Sequence, residues 1–142
     1  MTEDIQLIEH FPDADDYCRL RNAAGMSPKT LQAAAKGLPN TLYGVSLKRG
    51  EEVIGMGRII GDGGCFYTVV DIAVSPPYQG KGLGKRIMNA LDAWLRINAE
   101  PSAYVTLVAD GEARHLYAKY GFVETAPASV NMEYIVAPHS GN

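Results

Sequence analysis

Between Asp71 and Arg86 the chain reads Asp-Ile-Ala-Val-Ser-Pro-Pro-Tyr-Gln-Gly-Lys-Gly-Leu-Gly-Lys-Arg, which puts three structural instructions into one short run. The apolar end of a strand comes first, two prolines that cannot donate to a ladder stop it, and alternating glycines lead into a strong helical pattern. Gly80, Gly82 and Gly84 lack Cβ atoms, so the backbone there can turn tightly and approach a ligand closely. The start of the next helix offers unpaired N–H groups and a partial positive charge. Lys81, Lys85 and Arg86 place cations where a helix start ordinarily takes Asp or Glu, a local conflict that an external anion would resolve. The plainer reading is three basic residues on a solvated loop. A pyrophosphate fits the first reading.

Two common glycine loops do not match. A P-loop requires G-x4-G-K-[ST], but the spacing from Gly80 to Gly84 is one residue short and Arg86 stands where Ser or Thr would hold magnesium. A dinucleotide fingerprint requires G-x-G-x-x-G, yet Lys85 takes the third glycine position and no βαβ unit opens the chain.

Periodicity supplies the frame around this loop. Asp13 after Pro12 caps a helix running to Ala24, and Ser27-Pro28 starts a second, short helix that Gly37 and Pro39 stop. Leu42 to Leu47 and Val53 to Ile60 read as a hairpin about Lys48 to Glu51. After Gly61 to Gly64, Cys65 to Val74 reads as a central strand. Leu83, Ile87, Met88, Leu91, Trp94 and Leu95 recur at helical intervals across Leu83 to Ile97. Tyr104 to Val108 is a short strand, Glu112 to Tyr120 a helix closed by Gly121, and Phe122 to Thr125 with Met132 to Val136 are final strands. The order ααβββαβαβ(β) predicts a mixed α/β fold: a central mixed sheet of six to seven strands with helices on both faces. The 142 residues are expected to form a single domain, with 137–142 frayed.

Composition narrows the function classes. Apolar residues make up 46% and charged residues 20%, values of a globular chain, and the net charge of -3 gives no field for nucleic acid. The opening Met1-Thr-Glu-Asp lacks a secretion signal, and no apolar run spans a bilayer, so the expected setting is cytoplasmic and free of membrane. Cys18 and Cys65 show no metal-binding spacing and are expected to be ordinary thiols; no metal is expected.

Gln79-Gly-Lys-Gly-Leu-Gly after the strand Ile72-Ala-Val resembles the Gln/Arg-x-x-Gly-x-Gly/Ala motif of the Gcn5-related N-acetyltransferases (GNAT). Leu116-Tyr-Ala-Lys-Tyr-Gly-Phe resembles the later helix-turn-strand signature of the same family. The two are separated by the helix and strand that the family places between them, and the resemblance spans roughly residues 5 to 136.

The resemblance implies an enzyme that transfers an acetyl group from acetyl-CoA to an amine. In the family, the strand before the loop pairs with the pantetheine arm, which carries over to Ile72, Ala73 and Val74. The loop amides cradle the pyrophosphate, which carries over to Gln79, Gly80, Lys81, Gly82, Leu83, Gly84 and Lys85. The strands Val70 to Val74 and Tyr104 to Val108 would part to admit the donor. Ala113 and Tyr117, at i and i+4, would face it from one side of a helix. Asp110 stands where the family commonly has Asn, and a carboxylate accepts but cannot donate. A homodimer is a further expectation from the family.

Acyl transfer needs a neutral amine beside the carbonyl, a donor for the oxyanion and an acid for the leaving thiolate. The resemblance places Tyr117 as the acid, with packing on the sheet as its other reading. The backbone N–H of Val74 is the candidate oxyanion donor. Asp71, near the thioester, is either the base or a structural acceptor at a strand kink. His115, about 200° around the helix from Tyr117, is read as a surface residue. Tyr43, Tyr67, Tyr78 and Met56 are either walls of an acceptor pocket or core, and Asp62 and Glu52 either attract a cationic acceptor or meet solvent. The leading expectation is a small-molecule amine acetyltransferase for an arylalkylamine, polyamine or amino-sugar-like acceptor. The alternatives are a protein acetyltransferase acting on lysine or an N-terminus, and a noncatalytic acyl-CoA sensor.

Overall fold

A computed structural model describes residues 4–138; the opening residues Met1 to Glu3 and the His139–Asn142 part of the expected frayed tail lie outside the described residues. The chain divides into two compact units, one ending at Leu107 and one beginning at Val108.

The first unit contains strand β1 (Ile5–Ile8), helices α1 (Ala14–Ala23) and α2 (Leu31–Gly37), strands β2 (Tyr43–Arg49), β3 (Glu52–Gly61) and β4 (Phe66–Val74), helix α3 (Leu83–Asn98) and strand β5 (Tyr104–Leu107). The strands lie in the order β1-β2-β3-β4-β5, antiparallel except for the last pair, β4 and β5. A parallel pair needs a crossover, and α3 supplies it.

Local chemistry explains the boundaries. Asp13 caps α1 by accepting from Asp16 N–H at 2.9 Å, as its position before the helix predicts. The second helix starts later than Ser27-Pro28 suggests: Thr30 is its cap, accepting from Ala33 N–H at 3.0 Å. Ser27 is otherwise engaged, its carbonyl and hydroxyl both accepting from Arg21. β1 was invisible to periodicity because four residues, Ile-Gln-Leu-Ile, carry too little pattern; pairing of Ile5 to Ile8 with Arg49 to Ser46 makes them a strand.

Neighbouring residues of β3 serve opposite faces, as strand geometry requires. Met56 joins Tyr17, Leu20, Ala34, Val53 and Ala73 in a core under α1 and α2. Gly57 faces α3 so closely that a Cβ would lie 2.5 Å from Ile87 Cγ2. Helices therefore cover both faces. The predicted core stripe of α3 is buried at Leu83, Ile87, Met88, Leu91 and Leu95.

The ladder between β3 and β4 carries a bulge. Met56 pairs with Ala73 and Arg58 with Val70, so Gly57 alone opposes both Asp71 and Ile72. Asp71 adopts φ +61°, a left-handed conformation rare outside glycine and best tolerated by Asp and Asn.

In the second unit, helix α4 (Ala113–Ala118) is shorter than Glu112 to Tyr120, and the chain turns after it at Gly121, φ +94°. Phe122 to Thr125 and Met132 to Val136 are not strands, so the sheet has five strands among the described residues instead of six to seven. Their composition suits a strand, but a strand also needs a partner edge, and no described backbone pairs with them; Val123, Met132, Tyr134, Ile135 and Val136 are exposed.

Candidate active site

The parallel ladder is short. Phe66 to Val69 pair with Tyr104 to Leu107, while β4 continues to Val74. Beyond Val69 the outer edge of β4 has no rung of this sheet, and its backbone groups there need an acceptor or donor from elsewhere. Ser75 N–H donates to Ile54 O at 2.8 Å, toward β3; because successive strand residues point to alternate edges, Val74 N–H turns to the open one. Val74 O accepts from the Gln79 side chain, Nε2 at 2.9 Å, which ties the strand end to the glycine loop.

After Val74, Pro76–Tyr78 form one 3-10 turn, with Tyr78 and Gln79 N–H donating to Ser75 O and Pro76 O. Gly80 and Gly82 both take φ +77°, and no atom stands within 4 Å of a Cβ built on Gly80, Gly82 or Gly84. The loop's glycines are thus needed for backbone conformation at two positions, and they leave open space above them. Gly82 caps α3 without a side-chain hydrogen bond, and Arg86 N–H to Gly82 O, 3.2 Å, is the first bond into the helix. The first amides of a helix have no acceptor within the helix itself. A helix start of this kind is suited to an anion.

The cations are distributed differently from the expectation. Lys81 lies over the Tyr78 ring (5.9 Å), and Arg49 at the end of β2 reaches the same ring and donates to its hydroxyl at 3.1 Å. Arg86 turns away to donate to Ile5 O at 3.1 Å, fastening β1. Arg49 therefore joins the loop's basic set from a distant part of the sequence. No local motif marks it.

Asp71 is 8% exposed and both of its oxygens are occupied. Oδ1 accepts from Arg21 Nη1 at 2.6 Å and from Tyr17 OH at 2.9 Å; Oδ2 accepts from Arg58 Nε at 2.7 Å. Two guanidiniums face one carboxylate. The excess positive charge lies against aromatic faces, Arg58 over Phe11 (5.5 Å) and Tyr17 (5.8 Å), and Arg21 over Tyr17 (5.8 Å). Burial first, then the charge and hydrogen bond of Asp71, push the Tyr17 phenol above its usual range, so it remains a donor.

The residues weighed as pocket walls separate. Met56 is fully buried and Tyr67 is 2% exposed, so both belong to the core. Tyr43 stacks on Trp94 at 5.5 Å, donates to Glu9 at 2.7 Å and lines a cavity of about 500 Å³ together with Phe11, Asp13, Leu38 and Thr41. Residues Ile72 to Lys85 take no part in that lining. Asp62 Oδ1 accepts from the amides of Gly64, Cys65 and Phe66, which makes it a turn cap, and Glu52 is exposed.

In the second unit, Ala113 and Tyr117 share one face of α4. Tyr117 is half-buried, and burial, with a smaller contribution from the charge of Asp110, pushes its phenol above the usual range. His115 is exposed and lies 2.9 Å from Glu112, in keeping with a surface residue.

Comparison with known proteins agrees with this architecture. The family model described as an acetyltransferase (GNAT) domain matches residues 41–124. The crystal structure of SA2161, a probable acetyltransferase from meticillin-resistant Staphylococcus aureus, superposes with a TM-score of 0.89 at 45% identity, covering 93% of this chain and 99% of that one. The uncharacterized N-acetyltransferase ycf52 of Pyropia yezoensis is 30% identical over 110 residues, 75% of this chain and 62% of that protein. Histone acetyltransferase TAP1 of Glycine max is 30% identical over 121 residues, 78% of this chain and 52% of that protein. This chain belongs to the GNAT acetyltransferase family. It spans between about half and two thirds of the length of these two curated relatives.

Proposed function

We propose that the protein is an N-acetyltransferase that carries the acetyl group of acetyl-CoA to a primary amine within a ternary complex. The single observation that carries the reading is the open edge of β4 leading directly into an uncapped, glycine-lined helix start. One feature suits an extended amide arm and the other a diphosphate, in the order in which acetyl-CoA presents them.

Ile72, Ala73 and Val74 would align the donor through the strand backbone, and Gln79 to Lys85 would hold its phosphates. The neutral amine attacks the thioester carbonyl, forming the C–N bond. Val74 N–H would meet the developing oxyanion, a role supported by the neighbouring Ser75 N–H pointing to β3, which turns Val74 N–H the other way. As the C–S bond breaks, sulfur takes a proton, for which Tyr117 is the proposed acid; the amine's surplus proton passes to water. The raised phenol of Tyr117 keeps its proton through the neutral range, as an acid requires.

Asp71 is the weaker candidate for the base. To accept a proton it would have to release a guanidinium or a phenol, whereas a base needs a free lone pair within reach of the amine. Proton removal by water fits the chain's own groups better.

The acceptor is proposed to be a small-molecule amine. A lysine or N-terminal amine of a protein is the second reading, favoured by the similarity to a relative named as a histone acetyltransferase. A thiol-release assay with acetyl-CoA over amines, amino acids and peptides tests both. Turnover confined to free amines supports the first, turnover confined to peptides the second. Tight binding of acetyl-CoA with no acceptor consumed would point to the noncatalytic sensor.

A further inference from the structure

We infer that Asp71 is a positioning residue: its carboxylate fixes both the phase of the bulged strand β4 and the connection between α1 and α2. Through the bulge it directs Val74 N–H to the edge along which the donor is proposed to lie. The inference rests on the acetyltransferase reading for its kinetic consequence, but its structural half stands independently.

A bulge adds one residue to one strand, and one residue is half the strand repeat. It therefore reverses which edge every later N–H faces. With Asp71 and Ile72 together opposing Gly57, Ser75 N–H reaches Ile54 O and Val74 N–H is directed to the open edge. Without the extra residue, Val74 N–H would turn into the β3 ladder and the open edge would lose its oxyanion donor.

What holds the bulge is electrostatic. The left-handed backbone of Asp71 is unfavourable for a residue with a Cβ, and such conformations persist where the surroundings over-determine them. Here Tyr17 and Arg21 of α1 and Arg58 of β3 close on one carboxylate. Arg21 extends the same network to Ser27, binding its carbonyl through Nε (3.0 Å) and Nη2 (2.7 Å) and its hydroxyl through Nη2 (3.0 Å). Arg58 Nη1 extends it to Thr41 Oγ1 at 3.0 Å. Ser27 sits in the α1–α2 connection and Thr41 in the connection entering β2. One side chain of β4 thus links helix α1, strand β3 and two loops. A planar guanidinium holds its donors in a fixed fork that reaches separated acceptors in set directions, whereas the ammonium of lysine is a single compact centre on a flexible stem.

The test compares the parent with Asp71→Asn, which keeps the size and the tolerance of left-handed backbone but removes the charge. Coenzyme A affinity, amine turnover with its pH profile, and amide exchange are measured on both. The inference expects exchange to speed up at least about tenfold at Ser75 and Met26, whose amides donate to Ile54 O beside the bulge and to Arg21 O in the α1–α2 connection, with α3 unchanged. It expects kcat to fall at least about tenfold while coenzyme A affinity stays within about threefold and the pH profile keeps its shape. Unchanged exchange and turnover in a folded variant would overturn it. Loss of the acidic limb of the profile would overturn it in favour of a base. Should Asp71→Asn not fold, Arg58→Lys, which keeps the charge but loses the fork, is read by the same criteria. A parent that binds no coenzyme A sinks the acetyltransferase reading, while the exchange comparison still decides whether Asp71 holds the bulge.

Discussion

Val69 stands opposite Leu107 on the last rung between β4 and β5, and from Val70 onward no strand among the described residues pairs with the outer edge of β4. The edge ends at Val74, whose carbonyl is held by Gln79, and the chain then enters the loop of Gly80 and Gly82. Strand edge and helix start are thus consecutive along one backbone, so a long ligand with amides at one end and phosphates at the other can follow it.

Gly82→Glu tests the loop. Its added Cβ meets no atom within 4 Å, so the structural cost is confined to the positive φ, about 1–2 kcal/mol. The carboxylate would repel a diphosphate, and the expected loss of coenzyme A affinity is at least about tenfold, or ~1.4 kcal/mol. Gly82→Asn, neutral and tolerant of this backbone, should lose much less. Calorimetry giving the two variants equal affinity would reject a charge-sensitive cradle.

Tyr117→Phe tests the acid. Removing the hydroxyl should lower kcat by about 10²-fold or more, the usual scale for a lost acid, with coenzyme A affinity nearly unchanged. Equal turnover in parent and variant would remove Tyr117 from the chemistry. Because its folded pKa lies above the ordinary value of 10.0, the acid form persists through neutral pH, and any loss due to this group must appear on the alkaline side.

Tyr43 gives a stability prediction with a defined direction. Burial, then the hydrogen bond and charge of Glu9, push its phenol from 10.0 up to about 12. A folded pKa above the unfolded one contributes stability that is complete below about 10 and is lost as pH rises through about 12. Denaturant titrations of the parent across that window should show a decline that Tyr43→Phe reduces; identical pH slopes in the two proteins would contradict the assignment.

Gly57→Ala probes the seat of α3. A Cβ at 2.5 Å from Ile87 Cγ2 overpacks the interface, and the expected cost is about 1–3 kcal/mol in chemical denaturation. Ile87→Ala, which removes Cγ2 and so makes room, should recover part of it in the double variant. Strictly additive losses would show that the two positions do not press on each other.

Much of this architecture was legible in the chain because it is local. The stripe from Leu83 to Leu95 predicts α3 at nearly its observed length, and Pro76-Pro77 and the glycines place the loop. The Asp71 network was not legible, since Arg21 and Arg58 lie 50 and 13 residues away and no spacing rule joins them. A signal was present all the same. Arg21 sits at i+4 from Tyr17 on the buried face of α1, and Arg58 follows Met56 on the inward side of β3; two cations on core faces require a buried anion, and Asp71 lies among apolar strand residues. The segment after Gly121 failed for the converse reason: apolar composition alone cannot supply the partner strand that Val123 and Tyr134 lack.

Amide hydrogen exchange with and without coenzyme A tests the central claim most directly, because it reads the backbone itself. Binding should slow exchange at Val74 and at Gly80, Lys81, Gly82, Leu83 and Gly84, while leaving the β2–β3 hairpin unaffected. Coenzyme A bound with those amides still exchanging at their free rates, or no binding at all, would contradict the account.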